Sequence, residues 1–469
     1  MKTNNIYIKK IFNVLAANLV NFCCSVIITL ILPKIISIAD YGEWQYFLLI
    51  FTYIEICQFG FANGVYLRFG GLKLEQLNLG SLKKQISFII AILVIFSCAL
   101  LYFQRPVSLS RVGFIICIPI MAWRFFVDYL LQSTGRTDEY SKIIIYDKSI
   151  FILLMIISYF MGNNFGIKNI IDSFIIGKLI ISIYSMLYIK KLLFADMALV
   201  SFKECINELW LNIRVGSKLL FATVSSLLIV GVIRFSIVDN LGKTDYGKVA
   251  IVLSVCSFAM LLINAASIVL FPSLRNLLNQ GVNINKYYES AYLLFNVLAL
   301  CMLLCAYPLA ALFKYWLTQY YESIKFIFIL LPVIIFDSNW AIWGSTILKV
   351  YRKENDIFKI TNVSLIFSIL FSIVLTQLID DVTLEYFVWL IPLVLSIRFI
   401  YTEKYINKII GVNLQKYNIY ILCSIILFIT LNNIFSIMSS CIIYIGYLVI
   451  GVYLYKAEII KSYRVLRDK

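Results

Sequence analysis

The residues of this chain best suited to do chemistry are ionised groups set inside apolar runs. Arg124 and Asp128 stand four apart in the stretch 112–132, so they share one face of a helix. Trp123, Phe125 and Phe126 surround that arginine. Lys178 and Glu55 fall near the middle of apolar runs, and Arg234 lies nearer one end. Asp337 opens the polar run Asp337-Ser338-Asn339-Trp340 inside 324–348. A basic residue or an aspartate at the centre of a membrane-spanning helix costs about 2.5–3.5 kcal/mol. Such groups are expected to meet a partner or to line a wet cavity. The chemistry open to them is recognition of charge. Arginine suits bidentate contact with an anion and lysine acts as a point charge, while carboxylates serve ion or proton exchange or act as counter-charges. For Arg124 and Asp128, mutual neutralisation is as good a reading as contact with a ligand. Lys34, Lys148, Lys218, Asp172 and Arg398 lie close to span ends and read as snorkelling to headgroups. Asp147, beside Lys148, reads as similarly shallow.

Other chemistries are excluded by composition. The chain has no histidine, which removes imidazole acid–base work, histidine metal ligation and histidine pH sensing. Its 11 cysteines form no CxxC pair, and no disulfide or metal is read from them. No phosphate-binding loop of the GxxxxGK[ST] type is present, so ATP is not expected to be used directly. Metal sites and cofactors are not expected.

The elements that must hold these groups are membrane helices. Of 469 residues, 62% are apolar and only 14% charged, more apolar and less charged than a soluble domain. The formal charge of +16 reads as basic loops beside an anionic bilayer surface, and nucleic-acid binding is not expected. A hydrocarbon core of about 30 Å needs about 20 helical residues. Fourteen stretches qualify: 11–36, 45–67, 84–104, 112–132, 143–162, 170–189, 215–238, 249–271, 290–313, 324–348, 360–379, 384–403, 418–436 and 440–456. The uncharged run Tyr417–Tyr455 is too long for one crossing and splits near Asn432-Asn433 and Ser439-Ser440. With the N terminus inside, 27 basic residues fall in inner segments and 7 in outer loops, the asymmetry of the positive-inside rule. Both termini are then cytoplasmic. The longest connection, 190–214, carries Phe202, Cys205, Ile206, Leu209 and Trp210 at near-helical spacing, which suits either a surface-lying helix or a plain connector.

A repeat organises the spans. Asp40-Tyr41-Gly42 and Asp245-Tyr246-Gly247 stand 205 residues apart, each opening an even-numbered span. Copies separated by six spans have the same orientation. The expected fold is therefore all-α and integral to the membrane, with two parallel six-helix bundles. Residues 1–193 form the first, 194–214 the inter-lobe linker and 215–410 the second; residues 411–469 add two helices and a basic tail. Such halves place a substrate path between them. In the repeat the Asp is expected to cap the next helix and the Gly to permit a tight exit from the loop.

The opening Pro33…Asp40-Tyr41-Gly42-x-Trp44 resembles the polysaccharide-exporter branch of the multidrug/oligosaccharidyl-lipid/polysaccharide (MOP) superfamily, and within it the Wzx-type O-antigen flippases. The match extends through Gln58-Phe59-Gly60-Phe61-Ala62-Asn63-Gly64…Arg68, Gln132…Gly135-Arg136, Asp245-Tyr246-Gly247 and Phe271-Pro272. Wzx-type proteins are usually described with twelve spans, so fourteen is a departure.

The resemblance implies a MATE-like fold with a central cavity and no enzymatic activity. It implies transfer of undecaprenyl-pyrophosphate-linked oligosaccharide repeat units across a bacterial inner membrane, from cytoplasmic to periplasmic leaflet, by alternating access. On that reading Arg124, Lys178 and Arg234 bind the pyrophosphate. Glu55, Asp128 and Asp337 couple an ion, H⁺ or Na⁺, or gate the halves, and Tyr53, Trp123 and Trp340 stack on sugars. Partners would be membrane lipids, the lipid-linked oligosaccharide, a polysaccharide polymerase and a chain-length regulator. The rival readings are a drug or cation antiporter of the same superfamily, which would favour an acidic cavity, and a membrane-embedded glycan polymerase, which would need a sizeable outer loop.

Overall fold

The computed structural model describes residues 22–103, 108–161, 165–190, 194, 201–279, 284–379 and 381–467, and every regular element among them is helical. The chain divides into two compact units, Met1–Leu227 and Leu228–Lys469. The sequence places the join within 194–214. Part of that segment, 195–200, lies outside the described residues, while from Phe202 the chain is helical and runs unbroken into the next span.

The first unit holds α1 (Phe22–Ile35), α2 (Ile38–Phe51), α3 (Phe61–Phe69), α4 (Leu79–Phe103), α5 (Leu109–Ser133), α6 (Thr137–Met161), α7 (Ile167–Ser185) and the start of α8 (Phe202–Asn279). Helix α5 packs on α3, α4 and α7, and α6 packs on α7. Their apolar faces meet in an aromatic core. Trp44 stacks on Phe151 at 5.7 Å, and Phe174 meets it edge-on at 5.6 Å. Helix α2 is capped by Ser37, not by the expected Asp40: Ser37 Oγ accepts from the Asp40 amide at 3.1 Å and donates to the Asp40 carboxylate at 2.9 Å. Gly42 lies within the helix instead of freeing a loop.

A sharp break separates α2 from α3. A short 3₁₀ turn, Ile54–Gln58, leads to Phe59 (φ 52°) and Gly60 (φ 87°), and the helices on either side are bent by 63°. Gly60 is needed twice over. Its left-handed backbone suits a residue without Cβ, and a Cβ there would come within 2.6 Å of the Ser217 amide nitrogen. Gly64 lies equally close to the Asn212 backbone, and Gly216 faces both. This small-residue stripe brings α3 and the start of α8 to backbone contact. One turn further along α3, Arg68 pairs with Glu208 at 2.8 Å and donates to Asn212 Oδ1 at 2.7 Å.

The second unit continues α8 and adds α9 (Ile284–Met302), α10 (Ala306–Tyr315), α11 (Ile324–Leu330), α12 (Val333–Asn339) and a π-helical turn, Trp340–Gly344. After these come α13 (Ser345–Val350), α14 (Glu354–Leu378), α15 (Leu384–Ile410), α16 (Gln415–Ile434), α17 (Ile437–Leu454) and α18 (Lys456–Arg467). Helix α15 is the hub, packing on α11, α12 and α14, and α18 lies along α9. The repeated tyrosines are both buried, Tyr41 in the first unit and Tyr246 in the second.

Among the described residues ten helices are long and apolar enough to cross a membrane, or twelve if each of two bent pairs forms one span. This is short of the fourteen expected. Two reasons are visible. The stretch Phe202–Met260 is counted once, although Gly242 (φ 86°, ψ 174°) interrupts it where the sequence separates two spans. The first expected span, 11–36, begins outside the described residues, leaving only Phe22–Ile35.

Candidate functional site

In the first unit α5, α6 and α7 gather five charged side chains. Arg124, 3% exposed, forms an ion pair with Asp128 one turn along α5. Lys178 of α7 holds Asp147 of α6 with both carboxylate oxygens, at 2.9 and 2.6 Å. The Lys178 ammonium also lies 4.8 Å from the centre of the Phe174 ring, so aromatic faces share its charge. Lys148 is half-buried, within electrostatic reach of Lys178 and Asp147, and makes no ion pair among the described residues. Asp128 feels both Arg124 and Lys178, so the two pairs form one cluster of three cations and two carboxylates.

Glu55 extends this polar line. It sits in the broken segment between α2 and α3, where Asn63 Nδ2 donates to it at 3.0 Å. The Tyr129 hydroxyl lies beside it and also faces Asp128. Tyr53 and Trp123 are tied into the backbone. Tyr53 donates to the Leu227 carbonyl at 3.2 Å, and the Trp123 indole donates to Ser182 O and Ser185 Oγ, each at 3.2 Å.

The second unit has its own buried pair. Asp337 of α12 meets Arg398 of α15, and the Arg398 guanidinium lies 5.2 Å from the Trp340 ring centre. The rest of the polar run finds partners inside the unit, one of the two outcomes the sequence allows. Asn339 and Asn296 exchange amide hydrogen bonds at 2.8 and 3.1 Å, and Ser338 donates to the Ile335 carbonyl at 3.0 Å. Replacing Asn339 with alanine leaves Asn296 Oδ1 without its donor, while Asn296 Nδ2 keeps only the Tyr292 carbonyl at 3.0 Å. The variant is expected to lose about 1–3 kcal/mol of stability, read from denaturant unfolding in detergent; an unchanged midpoint would contradict this packing. Arg234 also belongs to the second unit, stacked 5.8 Å from the Tyr246 ring centre. Its buried Nε has no hydrogen-bond partner, and no carboxylate among the described residues pairs with it.

The structure therefore brings Arg124, Lys178 and Asp128 together, with Glu55 joined through Tyr129, and joins Asp337 with Trp340 through Arg398. Within the second unit Arg234 is not part of the Asp337–Arg398 pair. Three residues differ from the sequence reading. Asp147 and Lys148 are half-buried and lie about three turns into α6, which starts at Thr137, before the expected span at 143. Arg398 is 4% exposed because α15 continues to Ile410, past the expected end at 403. The same extension buries Glu403, which the sequence reading missed, at 2% exposure. Its signal was the apolar spacing that continues through Ile406 and Ile410. Among the described residues no group of three cysteine, aspartate or glutamate side chains gathers as a metal site.

No family model matches the chain, and no curated protein matches it in sequence. Solved structures do match in fold. One is the lipid II flippase MurJ in an inward closed conformation, with TM-score 0.61 and 15% identity, covering 96% of this chain and 100% of that one. Another is an inward-facing multidrug resistance MATE transporter of the MOP superfamily, with TM-score 0.63 and 11% identity, covering 86% and 98%. An outward-facing MATE transporter matches with TM-score 0.51 and 12% identity, covering 85% and 96%. At these identities the shared property is the fold. The chain has the all-helical, multi-pass fold of MOP-superfamily transporters.

Proposed function

We propose that this protein is a flippase that moves undecaprenyl-pyrophosphate-linked oligosaccharide repeat units, of O-antigen or a related surface polysaccharide, from the cytoplasmic to the periplasmic leaflet. The observation that carries this reading is the cluster of Arg124, Lys148 and Lys178 against Asp128 and Asp147, a formal excess of one positive charge in an apolar helical unit. A pyrophosphate entering hydrocarbon loses its hydration, and fixed cations offset that cost. Here Arg124 and Lys178 already hold carboxylates. The cargo would compete with Asp128 for the guanidinium and with Asp147 for the ammonium, so loading exchanges one counter-anion for another. Asp128 and Asp147, once released, are then free to take up a coupling ion. Glu55, hydrogen-bonded to Asn63 at the break between α2 and α3, joins the same line where the backbone is least regular. In the second unit Asp337 and Arg398 would gate by the same kind of exchange, and Arg234, with no carboxylate partner among the described residues, adds a further cation.

The fold shared with MATE transporters supports a second reading, export of organic cations. The excess of cations in the cluster argues against it. One experiment separates the two. The purified protein is reconstituted in vesicles and offered a fluorescent undecaprenyl-pyrophosphate oligosaccharide or a cationic dye. Movement of the glycolipid alone is expected; movement of the dye alone overturns the proposal. In cells, deletion is expected to remove surface polysaccharide while lipid-linked repeat units accumulate inside.

A further inference from the structure

Glu403 is a buried acid without a counter-charge. It lies on α15, and neither of its carboxyl oxygens has a hydrogen-bond partner in good geometry. The titratable groups facing it are Tyr288 and Tyr292 of α9, both fully buried, and its other polar neighbour is Asn418 of α16. Charges on the surrounding elements are engaged elsewhere or exposed. Arg398 pairs with Asp337 of α12, and Lys325 of α11 pairs with Glu385 at the far end of α15. Asp356 of α14 pairs with Lys359 at 3.8 Å, and Lys404 and Lys408 are exposed.

One hydrogen bond beside Glu403 favours a particular protonation state. The Tyr292 hydroxyl gives its proton to Asn418 Oδ1 at 2.6 Å. It has none left for a carboxylate, but its lone pairs remain free to accept. A neutral acid can donate into that oxygen and complete a chain from Glu403 through Tyr292 to Asn418. An ionised carboxylate would have the Asn418 amide beside it but no cation, with a hydroxyl oxygen and otherwise apolar side chains around it, so the charged form is the costlier one. We propose that Glu403 is a proton-binding site of the second unit, loaded as the carboxylic acid in this conformation. It unloads when water reaches it: the O–H bond breaks, its electron pair stays on the carboxylate, and the proton leaves on water. A narrow crevice of about 20 Å³, room for about one water, is lined by Tyr292, Asn296, Tyr417, Tyr420 and Tyr455 and reaches the Tyr292 end of this hydrogen-bonded line. The site stands on this geometry whatever the cargo. As the coupling site of a transporter it rests on the reading above.

The test is infrared difference spectroscopy of the full-length protein in lipid vesicles, titrated with acid and base in choline chloride. The wild type is expected to show a protonated-carboxyl carbonyl band at neutral pH that Glu403→Gln lacks and that Tyr292→Phe shifts. Glu403→Gln, an isostere of the neutral acid, is expected to keep the wild-type unfolding midpoint at neutral pH. Identical spectra for wild type and Glu403→Gln overturn the proposal. So does a midpoint several degrees lower in that variant, which would mean the ionised form was needed. Loss of the band when sodium replaces choline overturns it in favour of a metal cation. If the wild type moves no glycolipid in vesicles, the proposed cargo fails while the infrared result stands.

Discussion

Arg124→Glu is expected to abolish the surface polysaccharide that the wild-type chain restores to a deletion strain. The substitution changes the cluster in the first unit from three cations against two carboxylates to two cations against three carboxylates. An anionic headgroup then meets net repulsion where it met net attraction. Folding is affected too. Breaking a buried pair leaves Asp128 uncompensated, which typically costs 3–5 kcal/mol, so loss of rescue alone does not separate transport from insertion. Two further variants do. Combining Arg124→Asp with Asp128→Arg keeps the pair, the net charge and the helix face, and is expected to restore the membrane level and the unfolding midpoint. Arg124→Lys keeps the charge but not the bidentate fork, and is expected to insert normally and transport more slowly. Quantitative immunoblots beside polysaccharide staining read both properties. Full rescue by Arg124→Glu at wild-type abundance would remove this arginine from any part in handling the cargo.

How much of this arrangement the sequence shows follows from how far apart its parts lie along the chain. The Arg124–Asp128 pair is legible because both residues sit on one helix at a spacing fixed by its pitch. Lys178 with Asp147, and Arg398 with Asp337, join residues on different helices. Their pairing depends on how each helix is rotated about its axis, and hydropathy carries little of that information when lipid-facing and core-facing residues are equally apolar. Depth was misjudged for a related reason. Hydropathy ends a span at the first charges, as at Thr137–Lys142 and Glu403-Lys404, whereas a helix stops where its hydrogen bonding stops. Helices α6 and α15 both run on through charged turns. Arg398, placed near a span end by hydropathy, is therefore buried against Asp337, and Lys148 is half-buried. The break after α2 shows the opposite case. Gly60, Gly64 and Arg68 are visible as a motif, but their shared purpose appears only once α8 is laid against them.

That purpose leads to the second large effect. Gly64→Val is expected to prevent the first unit from assembling. A side chain at this position would occupy the space of the Asn212 carbonyl, and Gly216 on the opposing helix has no side chain to move aside. The only relief is to push α3 away from α8. That would also pull Arg68 from Glu208 and Asn212, leave buried polar groups unpaired, and shift Asn63, whose amide holds Glu55. Overpacking and lost polar contacts act together here, and a destabilisation above about 4 kcal/mol is expected. Gly64→Ala should fail in the same direction, because the conflict begins at Cβ. Gly446→Ala is the control: it lies on an exposed face of α17 with open space around it, and alanine is the better helix former there. Fluorescence-detected size exclusion of the three variants in detergent gives the comparison. A monodisperse peak for Gly64→Val at the wild-type midpoint would mean that α3 and α8 do not meet backbone to backbone, and the line from Glu55 to the charged cluster would lose the support on which it is built.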